Sequence, residues 1–148
     1  MALVVREYKP EDFESLWRLD QDCFPPGISY SRRQLRAFIS ARGAFTLVAN
    51  NEKGELQGFI VAYCGDSGHV ITIDVGPGKR RSGIGSLLLQ SAEDRMHAAG
   101  CRAVGLETAV DNRTALAFYK RRGYHVVRTF PRYYSNGVDA LVLKKDLN

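Results

Sequence analysis

Apolar and polar residues follow two different periods along the first half of the chain, which predicts strands and helices in turn. Residues 3–8 alternate as a strand does, and residues 11–21 repeat their apolar side chains at helical spacing. A second helix is predicted to begin near Ser31, because Ser31 and Gln34 have the spacing of a capping box. Three β-rich runs separated by short turns then predict an antiparallel meander: residues 44–50, 57–64 and 69–75.

The second half of the chain begins with one long helical stripe of apolar residues. The stripe runs between residues 84 and 99, and Gly100 is placed to end the helix in a left-handed conformation. A strand is predicted at residues 103–108, a helix at 112–122, and two last strands at 124–129 and 140–144.

This order of elements, βααβββαβαββ, predicts the fold class. We expect an α/β fold whose mixed, mostly antiparallel sheet of about seven strands is flanked on both faces by about four helices. The 148 residues contain no repeat, low-complexity tract or linker, so residues 1–148 are predicted to form a single domain with one core of ordinary size.

The charge balance changes this picture only slightly. The chain has 21 basic and 16 acidic residues, a formal net charge of +5, and the basic residues are dispersed. A basic cleft for a polyanionic ligand fits this distribution as well as a nucleic-acid surface does. Since no aromatic and basic platform and no recognition helix accompany it, nucleic-acid binding is not expected.

Cysteine and histidine usage argues against a metal site. The three cysteines form no CxxC pair and are predicted to be reduced thiols. His69, His97 and His125 have no repeated spacing and no evident acidic partner, so no metal is predicted. The first residues lack the features of a secretion signal, and no apolar run approaches the roughly 18 residues of a membrane span. We therefore expect a cytoplasmic protein without a membrane anchor.

The segment most specific for a ligand is a glycine-rich basic loop at residues 75–85, between a predicted strand and a helix. A helix amino terminus presents unpaired N–H groups and a positive dipole end, so it can bind phosphate. Gly83 and Gly85 lack the Cβ atoms that would hold an anion away. The spacing matches neither a P-loop nor a dinucleotide-binding GxGxxG. A glycine-capped loop with exposed basic residues is the alternative.

The loop resembles the R/Q-x-x-G-x-G/A motif of the GNAT superfamily of N-acetyltransferases, with Arg80, Gly83 and Gly85 in the fixed positions. The resemblance implies acetyl-coenzyme A as the cofactor. It implies that the preceding strand holds the pantetheine arm with its backbone at Ile73, Asp74 and Val75. It also implies a pyrophosphate site formed by the motif and the helix start: Arg80, Arg81, Ser82, Gly83, Ile84, Gly85 and Ser86.

A second block resembles the LE-x-x-x-x-N-x-x-A-x-x-x-Y-x-x-x-GF pattern of the same superfamily. Its fixed positions are filled by Leu106, Glu107, Asn112, Ala115, Tyr119, Gly123 and Tyr124, the last replacing phenylalanine. By pattern the chain is most similar to the RimI-type branch, the ribosomal-protein-alanine N-acetyltransferases, which act on N-terminal amines. The resemblance places Asn112, Ala115 and Tyr119 against the cofactor.

Acetyl transfer from a thioester to an amine needs a base for the ammonium and an acid for the leaving thiolate. Glu107 lies near the end of a strand whose Val104 and Leu106 appear as core positions, so its carboxylate is expected to face a cleft and act as the base. Tyr119 follows Asn112 by seven residues, on the same helix face, and is predicted to be the acid. The alternatives are a surface ion pair for Glu107 and a core position for Tyr119.

Two loops are predicted to line the acceptor site. The first is apolar and contains Phe24, Pro25 and Tyr30, and the second contains Tyr133 and Tyr134, which resemble the tyrosine pair that lines the peptide slot of N-terminal acetyltransferases. Packing of these aromatic residues against the sheet is the alternative. Asp74 is expected to face away from Ile71, Ile73 and Val75 and either binds the acceptor ammonium, caps a helix or lies in solvent.

Together these features predict an enzyme that acetylates the N-terminal α-amine of a protein or peptide by direct transfer. A GNAT enzyme acting on a small-molecule amine or a lysine ε-amine remains an alternative, as does a non-catalytic acyl-CoA sensor. The sequence leaves a monomer and a homodimer equally open.

Overall fold

The computed structural model describes residues 3–77 and 83–148, which form a seven-stranded mixed sheet. Its strands, numbered along the chain, are β1 (Val4–Glu7), β2 (Ala44–Asn50), β3 (Leu56–Cys64), β4 (Gly68–Val75), β5 (Ala103–Ala109), β6 (His125–Phe130) and β7 (Ala140–Asp146). The spatial order is β1-β2-β3-β4-β5-β7-β6, and only β4 and β5 are parallel neighbours. The predicted fold class is confirmed.

Four α-helices flank the sheet: α1 (Phe13–Cys23), α2 (Arg32–Ser40), α3 (Ile84–Ala98) and α4 (Arg113–Arg121). A single 3₁₀ turn, Pro10–Asp12, precedes α1. The predicted capping box of α2 is present, because Gln34 N donates to Ser31 Oγ and Ser31 N donates to Gln34 Oε1. Gly100, just past α3, has a φ of +95°, the left-handed conformation predicted for it.

The sheet separates two apolar cores. On one face α3 and α4 pack against the strands, in a core that includes Leu88 of α3 and the strand residues Ile60, Leu106 and Leu143. On the other face α1 and α2 bury Leu16, Leu35, Phe59 and Val61. Each fully buried leucine contributes about 1.5–3 kcal/mol relative to an exposed one, so both cores hold the helices firmly against the sheet.

The sheet opens between its two parallel strands. β4 and β5 pair only through residues 68–70 and 104–106. Beyond these residues β4 remains paired with β3, and β5 remains paired with β7. Residues 71–75 therefore have no β5 partner along one backbone edge. This opening, here called the splay, lies at the carboxyl ends of both strands and beside the start of α3.

The prediction that Ile71, Ile73 and Val75 share one face of β4 is wrong. The register between β3 and β4 shifts so that Val61 pairs with Thr72 and Ala62 with Val70, which makes Ile71 an extra, bulged residue. Ile71 consequently packs into the core under α1 and α2, whereas Ile73 and Val75 pack into the core under α3. A strict two-residue alternation cannot reveal a bulge, because each bulge reverses the faces that follow it.

Candidate active site

The start of α3 lies at the carboxyl end of β4 and is open for an anion. Gly83 is the N-cap residue with a φ of +86°, and a Cβ built on it would meet no atom within 4 Å. Gly83 has no side chain to cap the helix, and the N–H groups of the first turn, as in any helix, have no intrahelical acceptor. The predicted phosphate ligands Arg80, Arg81 and Ser82 lie outside the described residues.

Gly85 has a packing reason to be glycine in addition to the predicted approach of phosphate. A Cβ at Gly85 would lie 3.3 Å from two ring atoms of Phe118 on α4 and 3.7 Å from Val75 Cγ2. The missing side chain therefore lets α3 and α4 approach each other. Ile84 is buried in the core and Ser86 is half-buried, so Ile84 can offer an anion only its backbone N–H.

The free edge of β4 carries the residues predicted to hold the pantetheine arm. Asp74 O faces β3, where a Cβ on Gly58 would come within 2.6 Å of it. Since carbonyl groups alternate along a strand, those of Ile73 and Val75 face the splay. The Val75 carbonyl there accepts a hydrogen bond from the Cys23 thiol of α1, at 3.3 Å.

Asn112 and Ala115 lie on the opposite wall of the splay, at the start of α4. Asn112 is the N-cap residue, and its Oδ1 accepts the Ala115 N–H at 3.1 Å. Ala115 is half-buried against the core under α3 and α4. The capping bond uses one lone pair of Oδ1, so the Nδ2 amino group of Asn112 is the better placed group for a ligand.

Tyr119 projects from α4 into the space between the two halves of the sheet and is 8% exposed. Its ring packs edge-to-face against Phe118 and Tyr124. Burial raises the pKa of the Tyr119 phenol, and the nearby Asp74 and Tyr134 raise it further. Tyr119 therefore keeps its proton at neutral pH, as a general acid must.

Glu107 on β5 forms a side-chain pair with His69 on β4, and their Oε1 and Nε2 atoms are 3.0 Å apart. The Tyr63 ring stacks on His69 with centroids 5.4 Å apart, and the Tyr133 phenol lies near Glu107, which together with burial raises the pKa of Tyr133. The expectation that His69 has no acidic partner is thus wrong. The pair depends on the parallel register that sets His69 opposite Gly105, which no local sequence pattern specifies.

The two predicted acceptor loops contact each other. Ser135 Oγ donates to Gly27 O at 3.0 Å, which joins the loop at residues 24–30 to the loop at residues 131–139. Phe24 and Tyr30 are half-buried in the first loop, whereas Pro25 is exposed.

In the second loop, the rings of Tyr133 and Tyr134 are 5.0 Å apart and perpendicular. Tyr133 is 49% exposed and Tyr134 is half-buried. Burial raises the pKa of the Tyr134 phenol, with further contributions from Tyr133, Glu107 and Asp111. The two loops form one wall, here called the acceptor wall, with uncharged phenols beside Glu107.

Asp74 is fully buried, which excludes the exposed position considered for it. Its Oδ1 accepts a hydrogen bond from Thr72 Oγ1 at 2.6 Å. Asp20, a fully buried residue on α1 that the sequence interpretation missed, lies close enough to Asp74 to affect its own pKa, which burial raises. Asp74 could contact an acceptor only if the protein groups that bury its side chain moved away.

A cavity of about 370 Å³ extends from the start of α3 toward α4 and β7. It is lined by Ser86, Leu87, Leu89, Gln90, Glu93, Arg122 and Lys145. Glu93 is paired there with Lys145 Nζ at 2.8 Å and accepts the Tyr124 hydroxyl at 2.8 Å. With Glu93 neutralised, Arg122 gives this cavity a positive character.

Within residues 3–77 and 83–148, no group of three or more His, Cys, Asp or Glu side chains is arranged to hold a metal ion. In the same part of the chain, none of the helices combines the length and apolar character needed to cross a membrane.

Known proteins share this sequence and architecture. The family described as "Acetyltransferase (GNAT) family" matches residues 13–124. The "N-alpha-acetyltransferase daf-31" of Caenorhabditis elegans is 25% identical over 97% of this chain and 82% of its own length. The structure of Ard1 from Thermoplasma volcanium superposes with a TM-score of 0.91 at 25% identity, covering 100% of this chain and 99% of that one. A chain in the NatC complex bound to Gag peptide and CoA has a TM-score of 0.86 at 28% identity, with 100% of both chains covered.

Proposed function

The chain belongs to the acetyltransferase (GNAT) family and is an N-acetyltransferase, and on that premise we propose that it acetylates the N-terminal α-amine of a protein or peptide. The observation that carries the proposal is the His69–Glu107 pair at the splay, bordered by the tyrosines of the acceptor wall. The sequence resemblance to the RimI-type branch supports the same acceptor class.

The described residues fit acetyl-CoA, the donor that enzymes of this family use. Gly83 leaves open space at an uncapped helix start, which suits a pyrophosphate. The unpaired edge of β4 at Ile73 and Val75 offers backbone groups to the pantetheine amides. The positive cavity beside Arg122 begins at Ser86 and is in reach of the nucleotide end.

When bound, acetyl-CoA supplies the activated acetyl group, and the chain supplies the proton transfers. Glu107, held by His69, takes a proton from the acceptor ammonium so that the amine lone pair can attack. Tyr119, protonated at neutral pH, donates a proton to the departing sulfur. We expect direct transfer without a thioester on the enzyme, since the Cys101 thiol is buried and engaged with Gly65 O.

The α-amine is the acceptor that this machinery suits best. An α-amine has a pKa near 8 and a lysine amine one near 10.4. A single carboxylate therefore removes the ammonium proton from an α-amine more easily than from a lysine side chain. Tyrosine hydroxyls at Tyr30, Tyr133 and Tyr134 can bond the first peptide groups behind the amine. The NatC complex that contains a chain similar to this one is bound to a peptide and CoA, which supports a peptide acceptor here.

Acetyl transfer to a matched panel of acceptors tests the proposal. We would compare kcat/KM for peptides with a free N-terminus, the same peptides with a blocked N-terminus and one internal lysine, and small amines such as polyamines and aminoglycosides. We expect the free peptides to be favoured, with fragment masses that place the acetyl group on the α-amine. Preference for the blocked lysine peptides or for small amines would contradict the proposal.

A further inference from the structure

Glu107 belongs to a part of the sheet that α1 and α2 leave uncovered. Its strand neighbours Val104 and Leu106 are buried in the core under α3 and α4, so Glu107 projects from the opposite face. On that face the core under α1 and α2 takes its strand residues from β2, β3 and β4. All six residues of β6, in contrast, are exposed. A peptide that leaves Glu107 along this face therefore meets open sheet on the side of β7 and β6.

Two basic residues share this open face with Glu107. Glu107 is paired with Val142 of β7, and Val142 is paired with Arg128 of β6. Directly paired residues of antiparallel strands project from the same face, so Arg128 lies on the face of Glu107, two strands and roughly 10 Å away between Cα atoms. Lys144, which is paired with Gly105, is the diagonal neighbour of Glu107 at roughly 7–8 Å.

The described part of the chain does not neutralise these two cations. Arg128 and Lys144 are exposed, and neither takes part in an ion pair within residues 3–77 and 83–148. The Glu107 carboxylate is paired with His69 instead. Asp146 follows Lys144 on the same face but lies at the end of β7, four residues from the partner of Arg128. The sheet beside Glu107 therefore carries an excess of positive charge.

An aromatic row connects Arg128 with the acceptor wall. The Arg128 Cζ atom lies 4.2 Å from the centroid of the Phe130 ring, and the Phe130 ring stacks on that of Tyr133 with centroids 5.7 Å apart. A guanidinium stacked on an aromatic ring keeps the N–H groups at its edge available for an anion. Arg128 is thus a cation whose position is fixed relative to the wall.

We propose that the acceptor peptide runs from Glu107 across Val142 toward Arg128, and that the enzyme favours N-termini with acidic residues at the third and fourth positions. The proposal rests on the function proposed above and adds the class of peptide that it selects. An extended chain advances about 3.3–3.6 Å per residue, so the fourth Cα lies about 10 Å from the first, the separation of Glu107 and Arg128. A carboxylate there pairs with Arg128, and Lys144 attracts the residue before it.

Matched peptides test the charge preference. The peptides have a free N-terminus and the same first two residues, and they carry Asp, Asn or Lys at positions three and four. We expect kcat/KM to be about fivefold higher for the Asp peptide than for the Asn peptide and lowest for the Lys peptide, with the differences shrinking as NaCl is added.

The same assay separates this proposal from the proposed function. Equal kcat/KM values for acetylated Asp and Asn peptides would overturn the charge preference and leave α-amine acetylation intact. Acetylation of blocked lysine peptides or small amines, with none of the three free peptides modified, would overturn both.

Charge reversal at Arg128 tests the residue itself. Arg128→Glu should favour the Lys peptide over the Asp peptide, a gained preference that misfolding cannot produce. Arg128→Gln should bring the Asp to Asn ratio within about twofold of one, and Arg128→Lys should retain the preference. Arg36→Gln is the matched control, because Arg36 also stacks on a phenylalanine, Phe13, at 3.9 Å but lies on α2. An unchanged ratio in Arg128→Gln, or an equal loss in Arg36→Gln, would overturn the assignment of Arg128.

An NMR titration gives a readout without turnover. With CoA present, the Asp peptide should shift the backbone amide signals of residues 126–130 and 142–144, and the shifts should be smaller in Arg128→Gln. Shifts confined to residues 24–30 and 131–139 would mean that the peptide leaves Glu107 by another path and would overturn the proposal. An RNA oligonucleotide that shifts residues 126–130 and 142–144 while the Asp peptide does not would assign this face to nucleic acid instead.

Discussion

At the scale of single residues, the environment of Tyr119 decides its chemistry. The phenol is buried, its pKa is raised, and its ring is fixed by two aromatic neighbours. A phenol in this state cannot act as a base at neutral pH, but it can give a proton to a thiolate that forms beside it. The core position considered as an alternative for Tyr119 is thus compatible with the acid role, since burial produces the protonated state.

Tyr119→Phe separates packing from proton transfer. The substitution keeps the ring and removes the hydroxyl, so we expect kcat to fall by about a hundredfold with acetyl-CoA affinity and Tm nearly unchanged. Tyr124→Phe is the control, because its hydroxyl bonds Glu93 and should affect stability more than kcat. A wild-type kcat in Tyr119→Phe would leave Tyr119 as a packing residue only.

At the scale of elements, the two glycines at the start of α3 have different structural roles. Gly83 supplies a left-handed residue and open space at the helix start, and Gly85 permits contact with Phe118. Sequence reasoning assigned both to phosphate, because a motif gives the positions of glycines but not the atoms that approach them. The element bounds were more predictable: the capping box at Ser31 and the periodicity of the long helix fix α2 and α3 locally.

Gly83→Asp tests the anion site at the start of α3. The added carboxylate would lie where the pyrophosphate binds, so we expect acetyl-CoA affinity to fall at least about tenfold by calorimetry. Gly83→Asn is the matched control, since asparagine tolerates the same positive φ and has the same shape without the charge. Equal affinities of the two variants would show that no anion binds close to residue 83.

Gly85→Ala tests the packing role of the second glycine. We expect a double-mutant cycle with Phe118→Leu to give a coupling free energy of about 1 kcal/mol, because the added methyl group is costly only while the ring is 3.3 Å away. Unfolding by urea measures the four stabilities. A coupling free energy of zero would mean that the helices adjust freely, and the requirement for glycine would then be due to the ligand.

At the scale of the whole molecule, the site results from how two halves of one sheet diverge. The order of elements, with one strand-helix-strand crossover, indicates a mixed, mostly antiparallel sheet, which is why the fold class could be predicted, whereas the position of β7 between β5 and β6 could not. The His69–Glu107 pair could not be predicted, because it depends on the register of the parallel strands. Glu107 and Tyr119 were found only because a family motif includes them.

The central claim is that the acceptor amine is activated at the splay by Glu107. Glu107→Gln keeps the size of the side chain and removes the basic oxygen, so kcat/KM with a free-N-terminus peptide at pH 7 should fall by about a hundredfold or more. The loss should shrink as pH rises, because more of the α-amine, with a pKa near 8, arrives already deprotonated. A Glu107→Gln enzyme with wild-type kcat/KM at pH 7, or a loss that stays constant as pH rises, would contradict the assignment of Glu107 as the base.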